Sequence, residues 1–145
     1  MQWLKLGDIR SSGMAKRSER KRLTKRLDDL CREIVRIRDN NTCQKCRKYI
    51  SGHDSHPSHV VAKGKGASLR RFDLLNIKLL CFHCHRWWHD NPTESGPWFL
   101  ANFPARDAYL QIYRNGKPAK ITTPQMRELV DTLKQKKKDL KGEQS

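Results

Sequence analysis

Acidic side chains are scarce in this chain: 15 Asp and Glu stand against 31 Lys and Arg, a formal charge of +16 over 145 residues. Apolar residues are also few, at 36%, and aromatics make up only 8%. No run comes near the roughly 18 consecutive apolar residues that a membrane-crossing helix needs, so a transmembrane protein is excluded and no membrane partner is expected. The N-terminus lacks the apolar stretch of an export signal, which makes a cytoplasmic location the expectation. The length suits one domain with arms and is too short for two independent cores. The excess of cations points to a polyanion, DNA or RNA. A ribosome-like or merely solubilising charge is the bland alternative.

Cysteine is rare too, with five in all. Cys43 and Cys46 form one Cys-x-x-Cys pair, Cys81 and Cys84 a second, and Cys31 is left over. Without an export signal a disulfide framework is not expected, and a thioredoxin-like site needs one such pair, not two. A two-residue spacer lets both sulfurs face one ion while the backbone amides between them point at the thiolates. Two such knuckles close a tetrahedral structural zinc site of the four-cysteine kind. The alternative is four reduced thiols in a core. Such a closed zinc is not catalytic.

Residues 1–13 carry no clear pattern, and Met14-Ala15-Lys16 is a credible alternative start. Residues 1–17 are therefore expected to be disordered or an extension. Residues 16–26 form a basic arm. Leu23, Leu27, Leu30, Ile34 and Ile37 recur at helical spacing, which predicts an amphipathic helix over 18–38. Cys31 lies beside that stripe as a small buried hydrophobe. Asp39-Asn40-Asn41 ends the helix. Residues 39–95 form the central unit, with loops at 51–58 and 62–68, strands near 58–62 and 77–81, and a short helix near 82–90. Residues 96–145 add an irregular connection, which begins at about 93, and a basic C-terminal helix. In that helix Thr123 is the expected N-cap and Pro124 the first helical residue.

All six histidines fall inside the central unit. His85 and His89 are four apart, hence on one face of a short helix, where two imidazoles can share a metal. Asn76 begins the strand that feeds the second knuckle. A hairpin followed by a helix brings His59 opposite His85 and His89. Between the strands, Lys63-Gly64-Lys65-Gly66 lets backbone approach a phosphate that the lysines neutralise, and Arg70 and Arg71 follow as further DNA contacts. A flexible surface turn is the plain alternative. Trp87 and Trp88 lie on another face of the helix. At least one packs over the zinc knuckle, and the other stacks on a base or packs on the tail.

His59, Asn76 and His85, flanked by the two Cys-x-x-Cys pairs, resemble the HNH (ββα-metal) nucleases. Residues 28–141 are more closely similar to the lambda NinG/Rap family of phage recombination endonucleases. That likeness lies in Cys43-x-x-Cys46, Ser58-His59-Val60, Leu69-Arg70-Arg71-Phe72-Asp73, Asn76-Ile77, Cys81-x-x-Cys84-His85 and the Lys-rich helix at 124–141. The resemblance implies an α+β fold: a small ββα-metal, treble-clef-like core stapled by zinc, between N-terminal and C-terminal helices. It also implies roles. His59 is the general base, Asn76 holds the loop and orients His59, and His85 binds one Mg²⁺ or Mn²⁺ ion with His89 as second ligand. At the position before the base, where HNH enzymes often carry a metal-binding Asp or His, this chain has Ser58. His56 is then the candidate that completes the site, with Asp54 or His53 as substitutes. The family further implies a homodimer that cuts branched DNA, D-loops or Holliday junctions, for a phage or prophage in a bacterial cell. The rivals are a non-catalytic zinc-finger-like nucleic-acid binder and a homing, restriction or terminase-associated HNH nuclease.

Overall fold

A long apolar stripe needs a partner, and the chain supplies one from its far end. The structure, a computed structural model, describes the backbone of residues 2–144 and the side chains of residues 18–143. Helix α1 runs Gln2–Arg38, so it begins earlier than the stripe alone predicts; the side chains of residues 1–17 lie outside the described residues. Leu27, Leu30, Ile34 and Val35 of α1 are fully buried against Met126, Val130 and Leu133 of α6 (Thr123–Gln144) and the central unit, in one continuous cluster. Ion pairs from Arg127 to Glu19 and from Lys137 to Glu33 fix the two helices side by side.

The α1 helix stops at two residues in the left-handed region, Asn40 (φ 54°) and Asn41 (φ 51°), a conformation that asparagine tolerates. Its last turn then anchors the sheet. Arg38 donates to the carbonyls of Leu74 and Ile77, and Asp39 accepts the Leu79 amide at 3.0 Å.

The sheet is a two-stranded antiparallel hairpin. Strand β1 (His56–His59) pairs with β2 (Ile77–Leu80) in the register His56↔Leu80 to His59↔Ile77. The first strand was expected at 58–62 and lies earlier. Val60 still donates to the Asn76 carbonyl, but the Val61 amide turns to the Asn76 side chain, which ends the ladder. The long hairpin loop holds the short helix α2 (Leu69–Phe72), capped by Ser68. Helix α3 (Phe82–Asp90) follows β2 directly and completes the ββα unit.

Residues 93–120, expected to be irregular, mostly form helices α4 (Pro92–Asn102) and α5 (Pro104–Arg114). Each opens with proline at its start, where the missing N–H costs nothing. Trp98 meets Trp87, Trp88 and Phe103 edge to face, and Phe99 meets Trp88 the same way, so both tryptophans of α3 pack on this tail. The cap of α6 also differs from expectation. Thr122 rather than Thr123 is the N-cap: its hydroxyl accepts the Gln125 amide while the Gln125 side chain accepts the Thr122 amide. That reciprocal pair is a capping box.

Candidate active site and zinc centre

The first knuckle follows the end of α1. The Thr42↔Tyr49 bridge closes its turn, and the Gln44 amide donates to the Leu79 carbonyl at 2.9 Å, which stitches the turn to the end of β2. Cys81 is the N-cap of α3, and the Cys84 amide donates to its sulfur at 3.4 Å. Both knuckles therefore meet at the end of β2. Among the described residues, Cys43, Cys46, Cys81 and Cys84 bring their sulfurs within 4.8 Å of one another, and the Cys46 and Cys81 sulfurs are 3.9 Å apart. A regular tetrahedron with Zn–S bonds of about 2.3 Å has S···S edges of about 3.8 Å, close to the Cys46–Cys81 separation, so the four sulfurs suit a zinc ion. Burial disfavours the Cys43 thiolate, but amides of Cys81, Cys46 and Lys45 outweigh it and pull that thiol down to about 7. Burial first, and the neighbouring Cys43 sulfur after it, push the Cys81 and Cys84 thiols up. This is a structural zinc site. Cys31 stands apart: it is buried, donates to the Phe72 carbonyl, and burial pushes it up to about 12.

A cavity of about 640 Å³ runs along the free edge of β1. His56, His59, His85, His89, Ser58 and Lys63 all line it. Strand alternation sends His56 and Ser58 to one face of β1 and His59 to the other. His56 lies on the α3 side, its ring 5.2 Å from that of His85, whereas His59 lies towards α1. The two flanks of the cavity therefore carry different chemistry.

On the α3 flank the Nε2 atoms of His85 and His89 are 3.0 Å apart. Burial, then the neighbouring charges of His89, His56 and Lys78, lower the His85 imidazole to about 4, so it is neutral at neutral pH. The buried Nε2 of His56 has no hydrogen-bond partner. An orphaned imidazole nitrogen thus lies near a close imidazole pair. Only the four cysteines, however, bring three or more ligand atoms within 4.8 Å of one another among the described residues, so His56 stands off from the His85–His89 pair. The substitute ligands fall outside the cavity. Asp54 accepts the Phe82 amide at the start of α3 and pairs with Lys48, and His53 is exposed in a turn.

On the α1 flank His59 is mostly buried, and its Nε2 lies 2.8 Å from the Arg71 carbonyl. A carbonyl only accepts, so Nε2 carries the proton and Nδ1 carries the lone pair. Burial lowers this imidazole below its ordinary value, against the opposing pull of the Arg71 carbonyl. The carbonyl is itself held in place. Arg71 makes a two-pronged ion pair with Asp28 of α1, at 2.7 and 3.0 Å. Fully buried Asn76 ties the loop shut: its side chain accepts from Val61 and donates to the carbonyls of Val61 and Arg70.

The expected DNA contacts divide accordingly. Lys63 lines the cavity and Lys65 is exposed in the same loop. The Arg71 guanidinium makes its two-pronged pair with Asp28. Arg70 lies against Gly64, whose left-handed backbone (φ +72°) leaves its guanidinium 3.1 Å from where a Cβ would stand. Four residues escape a sequence reading: Asp28, the α1 arginines Arg32 and Arg36 that line the cavity, and the buried Lys78 of β2. Their only signal is their phase on α1, or for Lys78 a charge inside an apolar strand.

A ββα unit with histidines along its cleft and a four-cysteine staple defines the class: an HNH-type, ββα-metal nuclease. The family model for the Bacteriophage Lambda NinG protein matches residues 9–143, and the chain belongs to that family. No curated protein and no solved structure matches it. Membership and the metal site make it a DNA-binding, metal-dependent endonuclease of phage type. No helix among the described residues is long and apolar enough to cross a membrane.

Proposed function

We propose that the chain cuts branched recombination intermediates, D-loops or four-way junctions, with His59 as base and His56, His85 and His89 holding one divalent ion. The single observation that carries the catalytic part is the division of the cavity into a base flank and an imidazole flank on opposite faces of β1. Nδ1 of His59 takes the proton from the attacking water, because Nε2 is committed to the Arg71 carbonyl. Asn76 and the Asp28–Arg71 pair keep that carbonyl, and so the base, in place. Lys63 neutralises an adjoining phosphate. The ion, when bound, stabilises the charge that develops on the phosphate and the leaving 3′ oxygen. Its donors are all imidazole nitrogens, so Mn²⁺ supports the reaction better than oxygen-loving Mg²⁺. The products carry 5′-phosphate and 3′-hydroxyl ends.

The preference for branched DNA rests on family membership, and paired cuts across a branch suit a homodimer. The reading takes the chain as one domain acting in the cytoplasm of a bacterial host. The test is cleavage of labelled linear duplex, single-stranded, D-loop and four-way-junction DNA with Mn²⁺, Mg²⁺ or no added ion. Metal-dependent cuts near the branch, faster in Mn²⁺, are expected. Equal cutting of linear duplex and junction of the same sequence would remove the branched-substrate part. Shifted bands with no cutting in any metal would remove the whole reading.

A further inference from the structure

The cavity has two walls, and only one of them belongs to the ββα unit. The other is α1, through Arg32 and Arg36. These residues are four apart and share one face of the helix. Nε of Arg36 donates to the Ser55 hydroxyl at 3.1 Å, and no carboxylate pairs with its guanidinium among the described residues. Arg32 is half-exposed and meets Asp29 only at 3.6 Å. The contrast is Arg71, whose fork Asp28 occupies on both prongs. Among the described residues, no Asp or Glu lines the cavity at all. Ser58 adds a second, independent sign. It is 2% exposed, it lines the cavity, and its hydroxyl has no partner. Buried polar groups are normally satisfied, so a lone hydroxyl in a cavity that holds guanidinium groups and no carboxylate marks a place for an anion with several acceptor oxygens.

We propose that Arg32 and Arg36 form a phosphate clamp that holds the substrate strand against α1, on the same flank of β1 as His59. The planar fork of arginine suits phosphate oxygens two at a time. Arg32 also lines a second groove along α1 with Arg20, Lys21 and Lys25, so the strand leaves the cavity along that helix. Arg20 is itself tied to Thr123 and the Ile121 carbonyl and Lys25 pairs with Asp29, which leaves Lys21 as the further cation of that groove. The clamp rests on the nuclease reading for its place in the reaction, but not for its ability to bind phosphate.

The experiment therefore reads binding and cutting separately. The full-length, zinc-loaded protein is titrated into fluorescein-labelled single-stranded and junction DNA, without added divalent ion, over a salt series. Each phosphate contact contributes a slope of about 0.7–0.9 to log K against log salt. The double variant R32Q/R36Q is expected to lower that slope by about 1.4–1.8 and the low-salt affinity at least ~10-fold. Each single variant should lower the slope by about half as much, which covers the case in which the double variant folds poorly. R32K/R36K keeps the charge and the slope, but loses the fork and cuts more slowly. Unchanged slope and affinity in R32Q/R36Q, with zinc content and helicity as in the parent, would overturn the clamp. A parent protein that cuts no DNA in any metal would overturn the nuclease reading instead, and the slopes would still decide the clamp.

Discussion

His59 shows how one hydrogen bond sets a chemical role. Its Nε2 proton is taken by a backbone carbonyl, so the nitrogen able to accept a proton from water is Nδ1. Substituting His59 with Ala should lower kcat by roughly 10²–10⁴, the usual worth of a general base. Zinc content and DNA binding should stay at the level of the parent. Burial lowers the His59 imidazole, so the proposed base stays unprotonated into mildly acid solution. The acid limb of kcat/KM should therefore fall below pH 6.5, and a limb above 6.5 would contradict the assignment. The same shift acts on stability. The unfolded chain binds this proton more readily than the folded one. The contribution is whole above about pH 6.5 and declines as the pH falls through that value towards the folded-state one.

Lys78 poses the opposite problem. Its side chain is fully buried in β2, its ammonium has no hydrogen-bond partner, and it lies 3.3 Å from the centre of the Trp88 ring. Burial holds its pKa well below the ordinary lysine value. A buried ammonium without a counterion loses hydration that one aromatic face only partly restores. Lys78→Met keeps the shape and removes the ammonium, so chemical denaturation should show equal or greater stability, by up to about 2 kcal/mol. Lys78→Ala, which leaves a cavity under Trp88, should cost about 2–4 kcal/mol. A marked loss in the Met variant would mean that the cation on Trp88 is a net contributor.

Among the elements, those with a period or a chemical signature were legible and those held by context were not. The α1 stripe, the two knuckles, helix α3 and helix α6 follow from apolar spacing and cysteine pairing. Helices α4 and α5 do not, because their apolar residues face an aromatic cluster rather than a regular stripe. The prolines at their starts, followed by Glu94 and Asp107 in the first turn, were the available signal. The cap of α6 was misplaced by one residue, since Thr122 and Thr123 are alike until Gln125 chooses between them. Thr122→Ala should lower stability by about 1 kcal/mol, and Thr123→Ala by less, in thermal or denaturant unfolding.

For the molecule as a whole, the zinc cage is the joint between the hairpin, α3 and the end of α1. The hairpin alone is too short to be stable in water. A chelator strong enough to strip the cage should collapse the cooperative unfolding transition and release one zinc per chain, because binding energy at such sites is folding energy. Cys43→Ser or Cys84→Ser should have the same effect. Retention of a sharp transition after the zinc is gone would show that the α1–α6 core carries the fold without it.

The sequence by itself determined the zinc ligands and the class. Cysteine pairs at a two-residue spacing, histidines four apart before a helix end, and an excess of cations are local facts, and each has few physical outcomes. The tertiary structure alone decided which cations are free. Asp28 lies far from Arg71 in the chain, yet α1 sets it against that guanidinium, so Arg71 is held where its carbonyl meets His59 while Arg32 and Arg36 line the cavity. Which arginine meets a carboxylate and which faces open space depends on how two distant segments pack, and no spacing within either segment records it.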